Sequence, residues 1–275
     1  MADDKLENKI LKVIKDKHIS HSELNALIDR IKTPIQKAKD NNHYWSQKHS
    51  KIAIASDFHV GSTYKNQKVL DDMFKRFKKA GVDAVYVAGD ITEGYNMRPG
   101  HSFICELHGA DAQIEGVINS VPDINKPIYF ITGDHDYSHY KRQGVDVGKH
   151  IDAGRKDMHY LGMFEADINL TKNTKLRIKH PGGGVAQAFS HNLQRIVDRT
   201  KDKDKSDILA LGHYHKLLYV DYHNVHGFLA GTTQDRTEWM NAKNIEAMLG
   251  GWILDVYTKR NGKIDKLGMT LLPYY

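Results

Sequence analysis

Five short segments place aspartate and histidine directly after apolar runs. Asp57-Phe58-His59 follows the run Ile52 to Ala55, Gly89-Asp90 follows Ala84 to Ala88, and Gly133-Asp134-His135-Asp136 follows Ile128 to Thr132. Further on, His180-Pro181-Gly182-Gly183-Gly184 follows Leu176 to Lys179, and Gly212-His213-Tyr214-His215 follows Ile208 to Leu211. Carboxylate oxygens with imidazole nitrogens are the donor mix that borderline divalent ions such as manganese, iron or zinc accept. In extended backbone, residues two apart face the same way, so Asp57 and His59 can be aimed at one point. Any single segment reads more readily as a turn with a solvated aspartate or a hydrogen-bonded histidine. Five of them, each closing an apolar run, do not, and together they supply the ligands of a dinuclear metal centre.

The elements that position these residues follow from periodicity. The runs named above, with Phe228 to Ala230 and Trp252 to Tyr257, have strand length and read as buried strands. Helical spacing over Val69 to Lys79 and Ala110 to Asn119 alternates with the first three strands, while the later strands follow one another closely and read as more antiparallel. A mixed, layered α/β sandwich is expected. Upstream, Leu6, Ile10, Val13 and Ile14, then Leu24, Leu27, Ile28 and Ile31, mark two amphipathic helices, the second opened by a Ser20/Glu23 capping box and closed by Pro34. A polar, Lys-rich stretch then runs to Ser50, so the expected organisation is an N-terminal helical segment and linker over 1–48 and a catalytic domain over 49–275.

Composition sets the class. A chain of 275 residues with 40% hydrophobic content can bury a full core. No stretch approaches the roughly 20 apolar residues of a membrane helix, so no membrane partner is expected. Cys105 is the sole cysteine, which excludes a disulfide framework. With no recognisable leader, the expectation is a cytoplasmic protein. Net charge is +6, half of it from residues 1–50 with ten Lys/Arg against seven Asp/Glu, and suits a polyanionic substrate. Seventeen histidines leave ample imidazole for ligation.

Taken in order across residues 56 to 215, Ser-Asp-Phe-His, Gly-Asp, Gly-Asp-His-Asp, His-Pro and Gly-His-Tyr-His resemble the motifs of the calcineurin-like metallophosphoesterase superfamily. The resemblance implies a layered αββα sandwich with mixed sheets and two divalent ions, manganese foremost, with iron, zinc, nickel or cobalt as alternatives. It implies Asp57, His59 and His215 as ligands of one ion, Asp134, His180 and His213 as ligands of the other, and Asp90 as the bridging carboxylate. His135 corresponds to the catalytic histidine that contacts the phosphate and protonates the leaving oxygen. Glu93, three residues after Asp90, corresponds to an acidic residue that orients that histidine. One position departs from the pattern: the third motif usually reads Gly-Asn-His, and here Asp134 replaces the neutral amide by a charge. The implied reaction is hydrolysis without a covalent enzyme intermediate.

Substrate is not fixed by the ligand set, since this superfamily includes enzymes for phosphoproteins, nucleotides, lipids and nucleic acid. Gly182 to Gly184, ahead of a helix expected over Ala186 to Arg199, read either as an anion-binding turn offering Gly183 and Gly184 N–H groups or as a tight turn after His180. The N-terminal helices read either as part of a helix-turn-helix unit or as an amphipathic pair packed on the main domain or on a second subunit of a homo-oligomer. Phe58, Tyr95, Tyr137 and Tyr214 are candidates to stack on bases or to fill core and rim. His139, His191, His223 and His226 read as surface or hydrogen-bonded histidines, whereas Arg98, His101 and His108 fall in the irregular stretch after Asp90 where a substrate loop is expected. The first reading is a nuclease resembling that of the double-strand-break repair complex and the exonuclease subunit of archaeal replicative polymerases. The alternatives are a phosphodiesterase of a cyclic nucleotide or nucleotide conjugate and, in another class, a non-catalytic scaffold or regulatory subunit.

Overall fold

The structure, a computed structural model, describes residues 41–42, 48–184, 186 and 188–275. The expected N-terminal helices lie outside them. In chain order the elements are β1 (Asn41–Asn42), β2 (His49–Ala55), α1 (Gln67–Ala80), β3 (Ala84–Ala88), α2 (Ala110–Ser120), β4 (Ile128–Thr132), α3 (Asp134–Gln143), α4 (Val147–Gly154), β5 (Met158–Met163) and β6 (Glu165–Thr171). There follow β7 (Thr174–Lys179), α5 (Ser190–Arg199), β8 (Ile208–Leu211), β9 (Leu217–Tyr222), β10 (Val225–Ala230), α6 (Glu238–Ala242), β11 (Leu249–Thr258) and β12 (Ile264–Tyr274).

These strands form two mixed sheets, ordered β12-β11-β2-β3-β4-β5 and β1-β6-β7-β8-β10-β9. In the first, β2, β3, β4 and β5 run parallel and β11 joins β2 antiparallel. In the second, β7, β8 and β10 run parallel while β6 is antiparallel to β7 and β9 antiparallel to β10. Asn41–Asn42 pairs parallel with Ile168 and Asn169, so the expected linker contains a short edge strand.

Alternation along the strands builds the layers. Ile52, Ile54, Ala84, Tyr86 and Ala88 pack toward the second sheet against Ile178, Ala210 and Phe228. The intervening Ala53, Ala55, Val85 and Val87 pack against Leu70, Phe74 and Phe77 of α1, Val117 of α2 and Ile151 of α4. With both faces covered, these strands are continuous apolar runs, which is why the sequence marks them clearly. On the outer face of the second sheet, Leu193 and Val197 of α5 meet Leu209, Leu211 and Leu229. The result is the expected αββα sandwich. Helix α1 shows the local logic: Asn66 accepts from the Val69 N–H at 3.2 Å, Gly81 closes it in the left-handed region, and its buried residues lie three to four apart. No helix among the described residues is long and apolar enough to cross a membrane.

Phe58 lies in the core between the two site residues of its motif, fully buried and edge-on to Phe74 at 5.9 Å, so it does not reach a base. Phe58→Ala is expected to cost about 3–5 kcal/mol by leaving a cavity. A denaturant midpoint equal to that of the unmodified chain would contradict this packing.

Candidate metal centre

The C-terminal ends of parallel β2, β3 and β4 open on one side, and the ends of β7 and β8 meet them there. Gly212 N–H donates to Lys179 O at 3.1 Å and continues the β7–β8 pairing, while His180 Nδ1 donates to Ala88 O at 2.7 Å and ties the two sheets together. Two donor groups result. Asp57, His59 and His215 form one, with His215 Nε2 at 3.2 Å and His59 Nε2 at 3.8 Å from Asp57 Oδ1. Asp90, Asp134, His180 and His213 form the other: His180 Nε2 is 3.1 Å from Asp90 Oδ2, and Asp134 Oδ1 is 3.0 Å from both His180 Nε2 and His213 Nδ1. Asp90 Oδ2 is also 3.9 Å from His59 Nε2, so one carboxylate adjoins both groups.

The donor set fits two cations. Asp57 and Asp90 are buried, and among the described residues their ion-pair partners are histidines, with no lysine or arginine. Buried carboxylates need compensating positive charge. His59 Nε2 and His215 Nε2 approach to 3.1 Å, a separation that suits a shared proton or a common ion. The remote ring nitrogens are mostly occupied: His59 Nδ1 donates to Glu93 Oε2 at 2.9 Å, His180 Nδ1 to Ala88 O, and His213 Nε2 to Gly183 O at 2.6 Å. Each bond fixes a tautomer and frees the other nitrogen for a ligand. His215 is the exception, with Nδ1 buried and unpartnered. Burial opposes charge on His59, yet Asp57 and Glu93 outweigh it and hold the ring well above its usual pKa; Asp90 and Asp134 do the same for His180.

Backbone geometry aims these side chains. Asp57, His59, Asp90, His213 and His215 all have φ between 48 and 75°, a region costing non-glycine residues on the order of 1–3 kcal/mol each. The surroundings enforce it at Asp57, whose carbonyl accepts from Thr232 Oγ1 at 2.8 Å and the Thr233 N–H at 3.1 Å. The motif glycines act through close approach: a Cβ on Gly133 would fall 2.2 Å from Asp90 Oδ1, and one on Gly212 would fall 2.2 Å from Ser56 Oγ.

Several expectations change. The carboxylate of Glu93 lies within 4.8 Å of a His135 ring nitrogen, but its hydrogen bonds go elsewhere. It accepts from His59, from His101 Nε2 at 2.9 Å and from Gln234 Nε2 at 2.8 Å, while His135 Nδ1 hydrogen-bonds to the Glu93 main-chain carbonyl. His101 is therefore buried behind the site rather than on a substrate loop. Asp134 and His135 stand in the first turn of α3, whose polar sequence hides it from a periodicity reading. Asp136 ties that turn down by accepting from Gly133, Ile91 and Thr92 N–H groups. Helix α5 starts at Ser190, six residues after Gly184, so the Gly182–Gly184 N–H groups do not form its first turn. Tyr214 is buried, Tyr137 packs on Phe164 and Tyr140, and Tyr95 is 40% exposed.

A cavity of ≈ 390 Å³ opens over both donor groups. Arg98, Gly183, Gly184 and His135 line it, joined by Met97, Gln234, Trp239, Met240 and Ile245. Apolar residues far along the chain carry no signal of site membership in the sequence. Gly133→Ala should disable the centre, because its Cβ cannot coexist with the Asp90 carboxylate. Manganese affinity measured by calorimetry and unchanged by that substitution would refute this.

The calcineurin-like phosphoesterase superfamily domain matches residues 51–239. The sequence matches no curated protein. Among solved structures, an archaeal phosphodiesterase is similar at 14% identity and TM-score 0.46, with 81% of this chain and 99% of that one covered. A predicted phosphoesterase from Streptococcus pneumoniae is similar at 13% identity and TM-score 0.39, with 82% and 100% covered. Vps29 from Entamoeba histolytica, complexed with zinc, is similar at 13% identity and TM-score 0.39, with 81% and 98% covered. The family match spans every residue of both donor groups, and the chain belongs to the calcineurin-like phosphoesterase superfamily.

Proposed function

We propose that this chain is a metal-dependent phosphodiester hydrolase acting on nucleic acid, with two divalent ions of which manganese is the first candidate. The observation that carries the reading is Asp90, whose carboxylate adjoins both donor groups and is buried with histidines, and no lysine or arginine, as its ion-pair partners among the described residues. Asp57, His59 and His215 would hold one ion, Asp134, His180 and His213 the other, with Asp90 shared. When bound, the pair supplies Lewis-acid stabilisation of phosphate oxygens and a water acidic enough to attack phosphorus.

The remaining groups orient and transfer protons. His135 donates Nδ1–H to the Glu93 carbonyl, which leaves Nε2 free of that bond; in the imidazolium form the ring would give its Nε2 proton to the departing ester oxygen and become neutral. Glu93 acts as a positioning residue for His59, its carboxylate kept charged despite burial by His101 and His59. Asp134 keeps an oxygen where the family usually has an amide, and its hydrogen bonds to His180 and His213 use the same Oδ1 that an asparagine carbonyl would present.

The net charge of +6 supports a polyanionic substrate. A small nucleotide diester is the second reading, favoured by the modest cavity. The filled donor set argues against a purely non-catalytic scaffold.

The deciding experiment assays the manganese-loaded protein on a model phosphodiester, a phosphomonoester, cyclic nucleotides and single- and double-stranded DNA, with Asp90→Asn in parallel. Diester hydrolysis lost in that variant is expected; hydrolysis that persists points to a contaminant. Glu93→Gln should lower metal affinity or turnover about 10–100-fold through His59. Asp134→Asn should remain active with manganese, and an inactive variant that still binds two ions would count against the role given to that oxygen.

A further inference from the structure

We infer that Arg98 and Trp239 form a recognition face for the nucleobase of an unpaired nucleotide, so that the site selects substrate by its base as well as its phosphate. This rests on the phosphodiesterase reading and adds a substrate class to it. The cavity has two unlike halves in chemistry: its lining combines carboxylates and imidazoles with the apolar side chains of Met97, Trp239, Met240 and Ile245. A phosphate on a polar stem would leave those apolar side chains wet, whereas a flat, weakly polar group would cover them.

Trp239 is held at the rim at the cost of its own burial. It is 43% exposed on α6, whose Thr237 side chain accepts from the Met240 N–H at 3.2 Å, and whose Met240 is buried. Arg236 Nε donates to Ile245 O at 2.7 Å and fixes the loop that follows. The support around the indole is rigid although the indole is not in the core.

Arg98 comes from a distant part of the chain, the stretch after β3, and its guanidinium lies over the Trp239 ring, 4.9 Å from its centre. It is the one arginine or lysine among the described lining residues, and it is half-buried with no carboxylate partner among them. The nearest candidate is committed elsewhere, since Glu93 already accepts from His59, His101 and Gln234. A planar cation stacked on an indole offers a flat face to a base and N–H donors to a phosphate oxygen. At ≈ 390 Å³ the space suits a single splayed nucleotide.

The test compares adenosine 5′-monophosphate with ribose 5-phosphate, which has the same sugar and phosphate but no base. Each is titrated into the full-length, manganese-loaded protein by calorimetry and tryptophan fluorescence. Binding of the adenosine compound at least about tenfold tighter, with quenching of emission, is expected. Trp239→Leu should abolish both the preference and the quenching, while Trp239→Phe should retain most of the preference. Arg98→Lys, which keeps the charge and loses the plane, should weaken the preference. Equal affinities in the unmodified chain, or a preference that survives Trp239→Leu, would overturn the inference. A base preference without any diester turnover would support the recognition face and refute the hydrolase reading, so the two failures are distinguishable.

Discussion

Burying negative charge without a basic side chain to neutralise it is the constraint around which this molecule is arranged. Asp57 and Asp90 follow the C-terminal ends of two adjacent strands and are almost wholly buried, Asp90 at the floor of the cavity. Isolated there, each would be strongly destabilising. Four imidazoles converge on them and on Asp134, three of the rings oriented by a second hydrogen bond to something rigid: a main-chain carbonyl for His180 and His213, a carboxylate for His59. Positive charge is what that arrangement demands, and protonated rings or bound cations can each supply it. The arrangement also explains the close fit of the sheet ends, since Gly133 and Gly212 leave no room for a side chain beside Asp90 and Ser56.

Much of this was legible in the sequence because its parts are local. A strand buried on both faces is written as a continuous apolar run, and Ile52 to Ala55, Ala84 to Ala88, Ile128 to Thr132 and Ile208 to Leu211 all fall within observed strands. The donors directly follow those runs, so their gathering could be anticipated. Half-buried elements were harder to see. β6 alternates buried and partly exposed residues among Glu, Asp and Asn, and β5 and β12 likewise lack a continuous apolar signature over their length. Helix α3 is built from Asp, His, Ser, Lys and Arg, and is held by capping and by Asp136 more than by an apolar face.

Contacts between distant residues were the least legible. Nothing in spacing shows that Glu93 holds His59 rather than His135, because the choice depends on how two loops cross. Nor does spacing show that Gln234, following β10, completes the shell around that carboxylate. Trp239 lies 24 residues after His215 and reads as an ordinary aromatic until the chain brings it over the donors. Orientation of the centre and the shape of its mouth are tertiary properties, whereas its donor chemistry is local.

The separation between paired donors has a consequence for how the molecule forms. His59 meets His215 across 156 intervening steps of chain, and His180 meets Ala88 across 92. Such pairings close large loops and contribute nothing until both ends are in place. The five left-handed ligand backbones have no local reason to adopt that shape early. The centre is therefore completed after the two sheets have docked, and a chain arrested before that step would have its strands and helices but no functioning donor set. Its ability to capture an ion thus reports completed folding as well as the presence of the right side chains.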